Sequence, residues 1–178
     1  MPQRKSGKKY FRKIMVESEV EKGSTFTVYL PITKKRTGAA PYQEEELASG
    51  TERILFIDDE APIVKIGSQI LERLGYSVTT RTSSVEALEL FCSKPKDFDL
   101  VLTDMTMPNM IGDKLAVELM KIRTNIPIIL CTGYSKKISD KTASQIGIKA
   151  FAYKPIVKAD LAKAVRKVLD EAKGSAQE

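Results

Sequence analysis

The sequence predicts an α/β fold: a doubly wound, five-stranded parallel sheet with five helices, preceded by a small β-hairpin. Three observations carry this prediction. Between residues 52 and 174, short apolar runs alternate with amphipathic stretches of helical period, the pattern of successive βα units. The apolar runs lack in-and-out alternation, so they are expected to be buried on both faces, as in a parallel sheet. Several of the runs also end in chemically capable polar residues, which such a sheet collects beyond the carboxyl ends of its strands.

Taken in chain order, residues 1–16 hold Arg4, Lys5, Lys8, Lys9, Arg12 and Lys13 and no acid. They account for the whole net charge of +6 in a chain with 29 Lys+Arg and 23 Asp+Glu. Such a run suits a polyanion-binding arm or a solvated tail. The rest of the chain is neutral overall, so nucleic acid is not expected as a partner. Thr25 to Leu30 alternates with period two and predicts a half-buried strand with Phe26, Val28 and Leu30 on one face. Lys22-Gly23-Ser24 signals a turn, and Ile14 to Ser18 is the pairing strand. A lone hairpin is marginal in water, so this one needs a partner or must pack on the rest. Residues 32–51 lack periodicity, contain Lys34-Lys35-Arg36, Gly38-Ala39-Ala40-Pro41 and Glu44-Glu45-Glu46, and read as a linker.

Ile54 to Ile57 opens the sheet. Ile63, Ile66, Ile70 and Leu74 recur at helical spacing, and Gly75 closes that helix. Tyr76 to Arg81 is the second strand. Ser83 with Glu86 forms a capping box that starts a helix running through Cys92. Leu100 to Thr103 is the third strand, and Leu115, Leu119 and Ile122 mark the helix after it. Ile126 to Leu130 is the fourth strand. Residues 137–146 form a poorer helix that ends at Gly147 and has few apolar anchors (Ile138, Ala143 and Ile146), so 136–147 is expected to be free to move. Ala150 to Tyr153 is the fifth strand, and Leu161, Val165, Val168 and Leu169 face the last helix. Right-handed crossovers place helices on both sheet faces, and the expected order is 2-1-3-4-5, flavodoxin-like. The organisation is therefore 1–31 basic tail and hairpin, 32–51 linker, 52–174 main domain, and 175–178 a short tail with no room for a C-terminal output module.

Composition excludes much. The chain has no histidine, which removes Ser-His-Asp and Cys-His catalysis, Cys2His2 zinc sites and a histidine general base. Cys92 and Cys131 form no CxxC pair and read as small buried hydrophobes in a reduced cytoplasm. No apolar run reaches the length of about 18 residues needed to span a bilayer, and the basic start lacks the apolar stretch of a signal peptide.

The strand ends carry the chemistry. Strand one ends in Asp58-Asp59-Glu60, strand three in Asp104, strand four leads into Thr132-Gly133 and strand five into Lys154-Pro155. Clustered carboxylates repel, and a hard divalent cation with oxygen ligands, Mg2+, relieves this. Lys154 adds a compact positive charge for a phosphoryl oxygen, and Thr132 adds a hydroxyl. Without a competing nucleophile, the fitting reaction is phosphoryl transfer to a carboxylate.

These segments identify a family. Residues 52–174 resemble the receiver domain of two-component response regulators through Ile54-Leu55-Phe56-Ile57-Asp58-Asp59-Glu60, the run Asp104-Met105-Thr106-Met107-Pro108-Asn109-Met110-Ile111-Gly112, Thr132-Gly133 and Lys154-Pro155. The resemblance implies Asp104 as phosphoacceptor, with Asp59 on Mg2+ directly, Asp58 partly through water and the Thr106 backbone carbonyl completing the ligands. It implies Thr132 as the hydroxyl that turns toward the phosphoryl group, Lys154 as its partner, a cis Lys154–Pro155 bond and Phe151 as the switch aromatic. Asp58 and Asp59 also suit a helix cap, Thr132 a turn and Phe151 an ordinary core position. Thr106 and Tyr134 take places that tune hydrolysis of the aspartyl phosphate. A bulky Tyr134 obstructs attacking water, so a long-lived phosphoryl state is expected.

Val16 to Pro31 resembles the last hairpin of a histidine-kinase ATP-binding domain, departing at Glu21 where glycine is common. It lacks the Asn- and Gly-rich ATP motifs and the phosphoacceptor histidine. Kinase end, linker and receiver together are the order of a hybrid histidine kinase. The expected role is a phosphoacceptor that takes phosphate from a kinase histidine and passes it to a histidine phosphotransfer protein, catalysing only its own phosphorylation and dephosphorylation. The expected setting is the cytoplasm, without membrane contact, as a monomer or weak phosphorylation-dependent dimer. The alternatives are a non-phosphorylated receiver used for dimerisation and an aspartate-nucleophile phosphatase. Asp104-Met105-Thr106 lacks the second Asp of that phosphatase motif.

Overall fold

The computed structural model describes residues 13–30, 47–133 and 147–174. The chain divides into two compact units, residues 1–43 and 44–178.

In the first unit, β1 (Lys13–Glu19) and β2 (Gly23–Tyr29) form an antiparallel pair in which Ile14 faces Val28 and Val16 faces Phe26. Cross-strand partners share a face, so Ile14, Val16, Phe26 and Val28 make one apolar side. That side is not half-buried as its alternation suggests. Phe26 is 68% and Val28 56% exposed, and of the fourteen strand residues all but the half-buried Met15 are exposed. Alternation sets which residues share a face. Burial needs a second layer, and a two-stranded ribbon supplies none of its own.

The second unit holds a five-stranded sheet of β3 (Arg53–Ile57), β4 (Ser77–Arg81), β5 (Leu100–Asp104), β6 (Ile128–Thr132) and β7 (Ala150–Tyr153). All pairings are parallel, in the order β4-β3-β5-β6-β7. This is the predicted 2-1-3-4-5 arrangement, and the fold is flavodoxin-like. The described helices are α1 (Ala61–Arg73), α2 (Ser84–Ser93), α3 (Gly112–Ile122) and α4 (Lys158–Gly174). The helix expected over 137–146, with Tyr134, lies outside the described residues. Strand four starts two residues later than expected and runs on through Thr132.

The central strands are fully buried. Leu55, Ile57, Val101 and Leu130 face a cluster completed by Phe91 of α2 and by Leu115 and Leu119 of α3. Ile54, Phe56, Leu102 and Ile129 face the other, completed by Leu71 of α1 and by Leu161, Val165 and Val168 of α4. Each such side chain contributes about 1.5–3 kcal/mol on burial, so the stability of the chain resides in this sheet and not in the exposed hairpin.

Three helix faces differ from their sequence reading. On α1 the buried stripe is Val64, Gly67, Leu71 and Leu74, while Ile66 is 55% exposed. Ile63 and Ile70 are half-buried and pack against the same core, so only Ile66 departs from the reading, and Phe56 lies against Gly67. A Cβ there would overlap Phe56 Cε1 and lie 2.8 Å from Cζ. On α2 the core side is Ser84, Ala87 and Phe91, and Phe91 stacks on Phe98 at 6.1 Å between centroids. Cys92, one helical step of ~100° past Phe91, is consequently exposed and not buried, whereas Cys131 is buried in β6. On α3, Ile122 is 40% exposed, beyond the last core contact at Leu119.

Local signals behave as sequence physics requires. Ser83 caps α2, its Oγ accepting the Glu86 N–H at 3.4 Å. The end of α1 is a Schellman motif: Tyr76 N–H donates to the Leu71 carbonyl and Gly75 N–H to that of Glu72, with Gly75 at φ +95.

Candidate functional site

Parallel register aligns four strand ends. Ile57 pairs with Thr103, Asp104 with Cys131 and Thr132 with Tyr153. Asp58, Asp104, Thr132 and Lys154 therefore come to one edge of the sheet from positions nearly a hundred residues apart. Backbone bonds carry the pairing past the strands: Met105 N–H donates to the Cys131 carbonyl at 2.8 Å, and Lys154 N–H to that of Thr132 at 2.9 Å.

Lys154 is the hub. Its Nζ lies 2.8 Å from Asp58 Oδ2, 2.8 Å from Asp104 Oδ1 and 3.7 Å from Glu60 Oε1. Asp58 is 0% and Asp104 4% exposed. Burial works against the Lys154 charge, but Asp104 and Asp58 outweigh it and hold the ammonium above its usual range. Asp58 is pushed up by burial, with Lys154 and the Glu60 N–H opposing. Asp58 Oδ1 accepts that Glu60 N–H at 3.0 Å. Its Oδ2 receives no well-directed hydrogen bond even with the ammonium so near. Two buried carboxylates thus share one cation, and one oxygen is left poorly satisfied.

This donor set fits a hard divalent ion. Mg2+ is usually held by one or two carboxylates, with waters completing the shell. Among the described residues no three acidic or thiol side chains gather as a self-sufficient metal cage. Asp59 is exposed beside the pair. Thr106 reaches Asp104 through its backbone, its N–H donating to Oδ2 at 2.8 Å.

The other expected residues stand apart from this triad. Thr132 is almost buried, and its hydroxyl donates to the Gly133 carbonyl at 3.2 Å. Phe151 is half-buried, pairs with Leu130 and packs against the first core cluster. The Lys154–Pro155 bond is cis.

Two residues carry more than their sequence reading gave them. Glu60 sets a third carboxylate near Lys154, a position hinted at only by the Asp-Asp-Glu run. Gly112 is the point where α3 touches the acceptor strand. A Cβ there would overlap the Asp104 carbonyl oxygen and lie 3.0 Å from its carbon, and the Gly112 N–H donates to the Met105 carbonyl at 2.9 Å. The loop between is pinned by buried Met105 and Met107, by Ser84 Oγ on the Pro108 carbonyl at 3.3 Å and by Asn109 at φ +66. Glycine at the head of an apolar-periodic helix, next to a strand-end Asp, was the available signal.

Comparison with known proteins agrees with this geometry. The profile of the response regulator receiver domain matches residues 54–166. The chain is 32% identical over 167 residues to the sensor kinase CckA of Brucella abortus, a match covering 89% of this chain and 18% of CckA. It is 36% identical over 110 residues to the aerobic respiration control sensor protein ArcB of Escherichia coli, covering 61% of this chain and 14% of ArcB. The chain thus spans less than a fifth of these curated relatives. A receiver domain protein from Clostridium thermocellum superposes with a TM-score of 0.65 at 32% identity, over 68% of this chain and 97% of that one. A CheY-like receiver from Methanospirillum hungatei gives 0.64 at 30% identity, over 71% and 99%. With profile, sequence and fold in agreement, the chain belongs to the response regulator receiver family.

Proposed function

We propose that this chain accepts a phosphoryl group on Asp104 from a phosphohistidine and passes it on in a phosphorelay. The supporting observation is the Lys154 ammonium shared, at 2.8 Å each, by the buried carboxylates of Asp58 and Asp104. A carboxylate oxygen of Asp104 attacks phosphorus. The P–N bond of the donor breaks, its electron pair stays on the imidazole nitrogen, which takes up a proton, and a P–O bond forms. Lys154 balances the charge gathering on the transferring oxygens, and the Thr106 N–H holds the acceptor carboxylate in place. Thr132 turns its hydroxyl from the Gly133 carbonyl to the new phosphoryl group, and Phe151 follows into the space released. Asp58, Asp59, Asp104 and the Thr106 carbonyl would hold Mg2+, which would supply further neutralisation of phosphoryl charge.

The partners we propose are a histidine kinase, a histidine phosphotransfer protein, or both. The chain has no histidine, so the phosphoryl group comes from another chain or from a part of the protein outside this sequence. Exposed apolar residues on α1 and beside Lys154, namely Ile66, Tyr153 and Val157, suit contact with another protein.

We further read the chain as the C-terminal part of a hybrid histidine kinase, with the hairpin as the end of its ATP-binding domain. The CckA match supports this. Covering 89% of the chain, about 158 residues, it exceeds the roughly 125 residues from 54 onward and so takes in β2. The setting is cytoplasmic, as a monomer or weak phosphorylation-dependent dimer. No helix among the described residues is long and apolar enough to cross a membrane.

The test is direct. The protein is incubated with Mg2+ and acetyl phosphate, and its intact mass is measured. One phosphoryl adduct is expected, absent in Asp104→Asn. Turnover without an adduct indicates a phosphatase, and no reaction indicates a silent interaction module.

A further inference from the structure

At the amino-terminal edge of the sheet, opposite Asp104, the segment leading into β3 is gripped by α4. Glu52 Oε1 lies 3.0 Å from Arg166 Nη2 and 2.7 Å from Lys173 Nζ, and Oε2 lies 3.2 Å from Arg166 Nη1. Arg166 also donates to the Ser49 carbonyl at 3.5 Å and to Asp170 at 2.9 Å. The segment is held from within as well: Thr51 N–H donates to Glu52 Oε2 at 3.1 Å, and Gly50 N–H to the Leu74 carbonyl at 3.0 Å. The fit is close. A Cβ on Gly50 would overlap Glu52 Oε2 and meet Tyr76 Cε1 at 2.5 Å and Arg166 Nη1 at 2.8 Å, while one on Gly75 would lie 2.6 Å from the Gly50 carbonyl oxygen. Leu47 packs on the second core cluster. Residues 47–51, inside the stretch read from sequence as linker, pack on the receiver together with Glu52.

The gripping helix is also the one that follows Lys154. α4 begins at Lys158, and its Leu161, Ala162 and Val165 share a core cluster with Ala152 of β7. We propose that the hold of Arg166 and Lys173 on Glu52 couples the phosphoryl state of Asp104 to the segment through which the chain joins the sheet. This rests on Asp104 being the acceptor. A phosphoryl group adds about 1.5 to 2 negative charges at pH 7, which draws the Lys154 ammonium away from Asp58. Strand β7 and α4 are close-packed and shift as one body. The bonds to Glu52 stand near their best lengths in the unphosphorylated arrangement, so displacement of α4 lengthens them. Phosphorylation thereby loosens residues 49–52.

Amide hydrogen exchange on the full chain with Mg2+, with and without acetyl phosphate, tests this, the adduct being followed by intact mass in the same samples. The wild type is expected to exchange at least fivefold faster at Gly50 and Thr51 when phosphorylated. In Glu52→Gln both amides are expected to exchange fast in either state, so the ratio falls toward one. Protection at Leu102 and Ile129 reports that the variant is folded. Where it is lost, Lys173→Gln, which removes one bond from an exposed side chain, is expected to reduce the ratio instead. An adduct with exchange changed less than twofold overturns the coupling alone. Absence of an adduct overturns the acceptor reading and the coupling with it.

Discussion

Gly112→Ala isolates the contact between α3 and the acceptor strand. The added methyl meets backbone, not a flexible side chain: it overlaps the Asp104 carbonyl oxygen and sits 3.0 Å from its carbon and 3.1 Å from Met105 Cα. Overpacking of this kind costs about 1–3 kcal/mol. Displacing α3 also weakens the 2.9 Å bond from Gly112 N–H to the Met105 carbonyl, worth about 1 kcal/mol. The gain in helix propensity returns at most about 1 kcal/mol. The net loss is about 2 kcal/mol, which lowers a urea midpoint by about 1 M at the slope usual for small domains. The same displacement moves Asp104 against Lys154 and the Thr106 N–H, so the rate of adduct formation from acetyl phosphate should fall at least tenfold. Leu119→Ala is the control. Leu119 is fully buried on α3, about two helical turns beyond Gly112, and its truncation costs about 2–5 kcal/mol. Equal loss of phosphorylation rate in both variants, or a Gly112→Ala stability within about 0.5 kcal/mol of wild type, would refute the reasoning.

Three further outcomes follow from the charges and thiols. Asp58 has its folded-state pKa raised by burial above the ordinary 3.8, so its ionised form costs stability at pH 7 and the cost vanishes once the pH falls below that ordinary value. Asp58→Asn should raise the urea midpoint at pH 7, with the difference closing below pH 3.8, while weakening the Mg2+ dependence of adduct formation; a lower midpoint at pH 7 counts against it. Glu52 is also desolvated, yet Arg166 and Lys173 hold it down to about 2 from an ordinary 4.5. Its contribution is present above 4.5 and lost as pH falls through about 2. After allowance for the exposed Lys173 it is worth about 2–3 kcal/mol, measurable as the Glu52→Gln difference in denaturation across that window. Burial pushes the Cys131 thiol up to about 12, so a thiol reagent at pH 8 should label exposed Cys92 promptly and Cys131 only on unfolding; early labelling of both would contradict the placement of β6.

The sheet and its acidic edge were legible in sequence because one simple rule converts chain order into space. An apolar run buried on both faces implies a parallel strand, and parallel strands present their carboxyl ends together. Asp58, Asp104 and Lys154 needed only that rule, and Lys154 lies 2.8 Å from each of the two carboxylates. Side-chain direction follows no such rule. Thr132 stands at the right strand end with its hydroxyl on Gly133, and Phe151 leans on the core, because rotamers answer to immediate neighbours that periodicity does not specify. The same limit explains α1. Ile63 and Ile70 pack on the same core as Leu71, but the stripe centres on Val64, Gly67 and Leu71 and leaves Ile66 outside, with the Phe56 ring in the space the glycine leaves.

The hold on the segment before β3 was hidden for a different reason. Gly50 and Thr51 look like loop, and Glu52 like a surface carboxylate, because no apolar period runs through them. The partners of Glu52 are Arg166 and Lys173, more than a hundred residues away. A half-exposed carboxylate in a linker is ordinary, but one that is 11% exposed and bound by two cations must be part of a fold. Sequence patterns of period two or 3.6 find elements that bury apolar surface. They are blind to elements fixed by ion pairs, and in this chain such a fixture sits where the receiver meets whatever precedes it. If a signal leaves the acceptor toward the amino-terminal side, it has to pass this point. The only charged groups of the lead-in segment lie in Glu52, so a single neutral substitution there separates a receiver that merely carries phosphate from one that reports it upstream.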